Sequence, residues 1–283
     1  MQHTFAILIN YHNSDLTLRC IESLDGQVFH IVIVDNSADR NEFAKLQSRI
    51  TRAADHIPSA KCECITSNKN LGFSKGIQYG LDYINAKYSY DAILIINNDA
   101  IAHAGMVDHL QKMFLAHEKQ AIVAPEATIG STPTMMWYNR LFGMIHDKPK
   151  PFSFPFLTGA CLLIPPSLTV PSLFDQSFFM YGEDVELAWR LKKAGIPCLI
   201  CPEATYEHEG CASAPKGNRF NEYHMVCSHF LLASKLTENK VLQYLFLSGR
   251  LIFFFMRALV RAFRQRSYVP LSAYLDVLRG KPC

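Results

Sequence analysis

Four short apolar runs, separated by stretches with helical spacing, organise the first hundred residues and restrict the fold more than any other feature. Residues 5–9, 31–34, 62–66 and 92–96 have strand length and lack the alternation of a half-exposed strand. Between them, residues 14–24 place Leu16, Cys20, Ile21 and Leu24 on one side of a helix, and residues 41–50 and 73–86 also read as helices. Strands buried on both faces and joined by helices define an α/β chain with a mostly parallel central sheet. Such sheets bind ligands beyond the carboxyl ends of their strands. The polar residues there are Asn10 and Tyr11, Asp35 and Asn36, and Asn97, Asn98 and Asp99.

The rest of the chain is less regular. Residues 125–158 hold five prolines without clear periodicity and read as a long loop or small insertion. A strand is expected at 160–164, a helix at 183–194 ending at Gly195, and short extended pieces at 197–200 and 204–206. From residue 218 the pattern is helical. The expected division is an α/β domain over 1–212 and a helical region over 213–283.

Charge is distributed unevenly. The net charge is +3, yet residues 240–283 carry eight Lys or Arg against Asp276 alone. A basic tail on a mildly acidic body points to an anionic partner. Arg250, Arg257, Arg261 and Arg264 share one helical face, opposite Leu251, Phe255 and Leu259. That is the pattern of an interfacial helix touching an anionic membrane through its arginines. Arg250 and Arg257, inside the 20-residue apolar stretch 241–260, argue against a spanning helix. So many apolar neighbours disfavour nucleic acid. The nine cysteines, with no signal-peptide pattern at the N-terminus, read as reduced thiols of a cytoplasmic protein.

Five groups could carry chemistry. Asp99, after Asn97 and Asn98, could hold a divalent cation with a diphosphate, although three such residues also fit a polar turn. Asp35 could accept from a base or ribose, or simply close an Asx turn. Residues 68–76, with Asn70, Gly72, Lys75 and Gly76, lead into a helix whose N-terminus suits phosphate. Glu183 and Asp184 follow an aromatic stretch and Gly182, where a carboxylate could serve as general base. His208 lies just past a strand. Cys198, Cys201, His208 and Cys211 are spaced somewhat like a zinc site, but pleat geometry would point Cys198 and Cys201 to opposite faces.

In this order and spacing, the five groups resemble the family 2 glycosyltransferases, and within them a bacterial rhamnosyltransferase-like branch that builds surface polysaccharides. The resemblance covers residues 4–212, with an echo at 274–281. It implies a GT-A fold binding a UDP-, dTDP- or GDP-linked sugar, with Asp35 on the nucleotide base and Asn70, Gly72 and Gly76 near the donor. It implies Asp99 and His208 as ligands of Mg²⁺ or Mn²⁺, Thr158, Gly159 and Ala160 beneath the sugar, and Asp184 as catalytic base beside Glu183. The reaction implied is an inverting transfer to a saccharide or lipid-linked saccharide, at the inner face of the cell membrane. Asn97 departs from the family's first aspartate and removes a charge from the metal site. Ile77 and Gln78 stand where relatives often carry two asparagines. A sugar nucleotidyltransferase is disfavoured by the glycine-free segment 10–13. A non-catalytic nucleotide-binding subunit of a polysaccharide-assembly complex is the alternative that Asn97 keeps open.

Overall fold

The computed structural model describes residues 3–53, 61–128, 132–208 and 218–280. The first half alternates as the apolar runs require: β1 (Thr4–Asn10), α1 (Ser14–Ser23), β2 (His30–Asp35), α2 (Arg40–Ala53), β3 (Lys61–Thr66), α3 (Gly72–Lys87) and β4 (Ala92–Ile96). Then come β5 (Ala100–Ala102), α4 (Met106–Ala116), β6 (Ile122–Ala127), β7 (Met135–Asn139), β8 (Ile145–His146), β9 (Ser153–Leu157) and β10 (Cys161–Ile164). The last elements are α5 (Glu183–Ala194), β11 (Cys198–His208), α6 (Arg219–Lys235), α7 (Lys240–Gln265) and α8 (Val269–Leu278).

The main sheet has eight strands in the order β3-β2-β1-β4-β10-β6-β11-β5. β1 to β4, β6 and β11 all run the same way, while β10 and β5 oppose them. β10 is the strand that matters for the site. Because it is antiparallel, its start lies at the edge where β1, β2 and β4 end.

Alternate residues of each central strand feed two separate cores. Ala6, Leu8, Ile31, Ile33, Leu94 and Ile96 pack with α1, α2 and α4. Phe5, Ile7, Val32, Val34, Ile93 and Ile95 pack with Ile77, Leu81 and Ile84 of α3 and Leu187 and Leu191 of α5. Burial on both faces explains why these strands read as unbroken apolar runs. Cys198 faces the second core and Cys201 the first, so the two thiols cannot share a zinc ion. Cys211 of that pattern lies outside the described residues.

Four expectations change. Of the two readings of 125–158, the long loop gives way to the small insertion: β7, β8 and β9 form a second antiparallel sheet, over which Tyr138, Phe154 and Phe156 pack with α5 and α6. Its strands are too short and aromatic to show a period. The extended pieces at 197–200 and 204–206 are one strand, β11, with an irregularity between Cys201 and Thr205. The nine cysteines are not all thiols: Cys227 is disulfide-bonded, whereas Cys20, Cys62, Cys64, Cys161, Cys198 and Cys201 are free.

The fourth change concerns the tail. Three of the four arginines on the expected face of α7, Arg250, Arg257 and Arg261, point inward, while Arg264 stays exposed. Arg250 is fully buried and donates to the carbonyls of Arg140 and Phe246 at 2.9 and 3.0 Å, and to Tyr138 Oη at 3.4 Å. Arg257 and Arg261 both pair with buried Glu222 of α6. The helical-face pattern is as expected, but its direction is reversed, because Glu222 and the loop carbonyls offer these cations better partners than water does. α6 is itself anchored through Leu232 and Leu236 to the small sheet and α5. The expected division at 212/213 falls in 209–217, outside the described residues.

Candidate active site

A hydrogen-bonded chain runs along the carboxyl edge of the sheet. Asp35, at the end of β2, pairs in register with Asn10 at the end of β1. Asp35 Oδ1 accepts from Asn10 Nδ2 and Ser37 Oγ, both at 2.8 Å. Asn10 Oδ1 in turn accepts from Thr17 Oγ1 at 2.8 Å, and Thr17 Oγ1 accepts from Asn98 Nδ2 at 3.0 Å. Thus Thr17 of α1 links the two polar strand ends, a role the sequence reading missed. Only its place one turn into a helix that follows Asn10 could have signalled it. Asp35 Oδ2 is buried without a hydrogen-bond partner among the described residues, so it retains an acceptor for a ligand. Tyr11 lies just past Asn10, 39% exposed, its ring against His12.

Asn36 and Asn70 have structural work. Asn36 Nδ2 donates to Asn70 Oδ1 and to the Gly72 carbonyl, and Asn36 Oδ1 accepts from Leu71 N. Asn70 Oδ1 also accepts from Gly72 N at 2.9 Å. These bonds fix the loop leading into α3. Gly72 has φ +73°, and a Cβ there would overlap the Phe179 carbonyl oxygen. That carbonyl accepts the Phe73 N–H at 2.7 Å, docking the loop on the segment before α5. Gly76 serves helix-on-sheet packing, since a Cβ there would crowd Ile9 Cδ1. Gln78 holds the Leu173 N–H and is buried, so it presents no polar contact to a donor. Lys75 is exposed on the first turn of α3 and forms none of these bonds.

Asp99 and His208 are 109 positions apart in the chain and meet through one strand pair. β11 lies antiparallel to β5, with His208 opposite Ala100, the residue after Asp99. His208 Nε2 stands 3.1 Å from Asp99 Oδ1 and 3.3 Å from Asn97 Nδ2, and both Asp99 and His208 are buried. No group of three or more His, Cys, Asp or Glu among the described residues could hold a metal. One carboxylate and one imidazole still match a hard cation that arrives with diphosphate oxygens completing its shell.

Glu183 and Asp184 open α5. The chain turns there through two successive left-handed residues, Tyr181 at φ +67° and Gly182 at φ +83°. The first is costly for a non-glycine residue, and such strain gathers at functional sites. Asp184 Oδ1 accepts from Val185 N at 2.8 Å, and Oδ2 from the backbone N–H of Gly159 at 3.4 Å. Gly159 precedes Ala160, whose carbonyl accepts Asn97 N at 2.8 Å. Asp184 is thereby tied to the Asn97–Asp99 segment and lies on the same side of the sheet edge. The positive end of α5 favours an ionised Asp184. Burial outweighs it and raises the Asp184 carboxyl, with the N–H groups of Val185 and Gly159 opposing. Burial, and then the Asp184 charge, raises Glu183 further. Glu183 Oε2 is buried without a hydrogen-bond partner among the described residues.

Asp35, Asp99, Asp184 and His208 therefore border one edge, although they are distributed over 174 positions of sequence from Asp35 to His208.

A mixed sheet with two reversed strands, flanked by helices and carrying its polar residues at one edge, is the GT-A glycosyltransferase fold. Solved structures agree. A mannosyltransferase from Pyrobaculum calidifontis, determined with GDP-Man and Mn²⁺, is similar with a TM-score of 0.57 at 12% identity, over 98% of this chain and 81% of that one. TarS residues 1–349 from S. aureus is similar with a TM-score of 0.54 at 13% identity, over 98% and 80%. The model of glycosyl transferase family 2 matches residues 6–169, and the chain belongs to that family. No curated protein sequence matches it.

Proposed function

We propose that this chain is an inverting glycosyltransferase that moves a sugar from a UDP-, dTDP- or GDP-linked donor to a saccharide or lipid-linked saccharide acceptor. The observation that supports the reading is the Asp184–Gly159–Ala160–Asn97 connection, which ties a half-buried carboxylate to the segment carrying Asp99. Asp35 Oδ2 accepts from the nucleotide base or ribose, with Asn10 orienting the carboxylate. Asn36 and Asn70 act by holding the donor loop, Gly72 by permitting its docking, and Lys75 lies at the phosphate-facing end of α3. Asp99 and His208 would hold Mg²⁺ or Mn²⁺, which offsets charge on the leaving diphosphate when bound. Asp184 accepts the proton of the acceptor hydroxyl as that oxygen attacks the anomeric carbon, and the nucleoside diphosphate leaves from the opposite face. Glu183, protonated more readily than Asp184, keeps the pair from carrying two charges. The rhamnosyltransferase-like branch, surface-polysaccharide synthesis and work at the inner face of a membrane are part of this reading, resting on the motif pattern. Residues 1–212 are taken as the catalytic unit and 213–283 as its helical appendage.

The test is turnover of UDP-, GDP- and dTDP-sugars, with and without Mn²⁺, after thermal-shift screening for binding. Release of nucleoside diphosphate that depends on acceptor supports the reading. A protein that binds nucleotide yet never turns it over supports the non-catalytic subunit instead.

A further inference from the structure

With Arg250, Arg257 and Arg261 turned inward, α7 leaves its apolar side in solvent. Val241, Leu245, Ile252, Met256, Leu259 and Phe263 recur every three, four or seven residues and form one stripe. All six are exposed, Ile252 by 65% and Phe263 by 86%. The helix has 26 residues and is about 39 Å long at the usual rise. A continuous apolar stripe on that scale is unlike the scattered exposed residues of a monomer and marks a contact surface.

Charge identifies the occupant. Lys240 at one end of the stripe and Arg264 and Arg266 at the other are exposed. The one acid in 240–280, Asp276, is buried and pairs with Arg219 and Arg279. The outer surface of α7 and α8 thus shows cations and apolar groups and no carboxylate. Two copies meeting through it would set cation against cation, whereas an anionic lipid surface complements it. Tyr268, 85% exposed beside Arg266, suits the headgroup level. No helix among the described residues is long and apolar enough to cross a membrane, so α7 would lie in the plane of the surface.

We propose that the outward stripe of α7 inserts among the headgroups of an anionic bilayer, and that Arg250, Arg257 and Arg261 only clamp the helix to the body. The purpose, reaching a lipid-linked acceptor, rests on the proposed function; the binding rests on α7 alone. The test is flotation of the full chain with phosphatidylglycerol–phosphatidylcholine vesicles and with phosphatidylcholine vesicles, at low and high salt. The wild type is expected to float with the anionic vesicles. The variant Ile252→Ser/Met256→Ser/Phe263→Ser is expected to lose flotation at every salt concentration, and Arg264→Glu/Arg266→Glu to lose it at low salt. The serine variant should keep the wild-type melting profile and wild-type turnover of a soluble acceptor.

Three results would overturn the proposal: no flotation by the wild type, undiminished flotation by both variants, or a dimer in sedimentation that the serine variant abolishes without any lipid binding. Absent donor turnover alongside intact flotation would defeat the transferase reading and leave this one standing.

Discussion

Asp184 reaches the backbone N–H of Gly159 across 3.4 Å, and through it the start of α5 is joined to the strand that crosses the sheet edge in reverse. The bond is long and the carboxylate half-buried, so the charged form is poorly compensated. In the proposed reaction that raised proton affinity suits Asp184 to accept the proton of a sugar hydroxyl. Asp184→Asn keeps the shape and removes the basicity. Turnover should fall by about 10²–10⁴-fold, while calorimetry shows nucleotide affinity within a factor of a few of wild type. Near-normal turnover would assign the base elsewhere.

The raised carboxyl also fixes a pH dependence. Asp184 works only when ionised, so kcat/KM should climb with pH along a limb above that of a solvent-exposed aspartate. Glu183 governs stability in the complementary way. Its folded-state affinity for a proton exceeds that of the unfolded chain, so the folded protein binds the extra proton and loses stability as pH rises through the raised range. Glu183→Gln removes that loss. Its melting temperature should gain on wild type progressively from the ordinary carboxylate range upward, and a pH-independent difference would contradict the assignment.

Gly72→Ala tests the loop docking. The residue sits at φ +73°, and the new methyl group would meet the Phe179 carbonyl. Strain and steric conflict together should cost more than about 1 kcal/mol, read by urea denaturation. The donor KM should rise in parallel as the loop before α3 moves off the segment before α5. Gly76→Ala, crowding only a flexible Ile9 terminus, should cost less.

Thr17→Val removes one hydroxyl and breaks two bonds of the edge network, those to Asn10 and Asn98. Buried amide groups left unpaired should cost about 1–3 kcal/mol. Because Asn10 orients Asp35, nucleotide affinity should weaken more than turnover at saturating donor. An unchanged nucleotide Kd would show that Thr17 has no part in positioning Asp35.

Glu222→Ala leaves Arg257 and Arg261 without their shared carboxylate. The pair is buried on the acid side and partly open on the arginine side, so the expected loss is on the order of 2 kcal/mol, below the range for a fully buried pair. Hydrogen exchange should locate the loss in α6 and α7 and not in the central sheet.

The local patterns carried the first half of this protein. Strands buried on both faces must be apolar throughout, and the residue that ends each one must be polar where it meets solvent and ligand. Asn10, Asp35 and Asn97 were legible for that reason. So was the opposite orientation of Cys198 and Cys201, since strand geometry alone decides it. The short strands β7 to β9 were not legible, because segments of two to five residues have no period to read. What only the tertiary structure decided was direction and partnership. One-dimensional spacing gives the arginine face of α7 but not which side faces the body; Glu222, Tyr138 and the carbonyl of Arg140, distant in sequence, settled that. The same holds for Asp184, whose proton affinity depends on burial by elements arriving from four parts of the chain, and for Asp99 and His208, which become neighbours only when β11 pairs with β5.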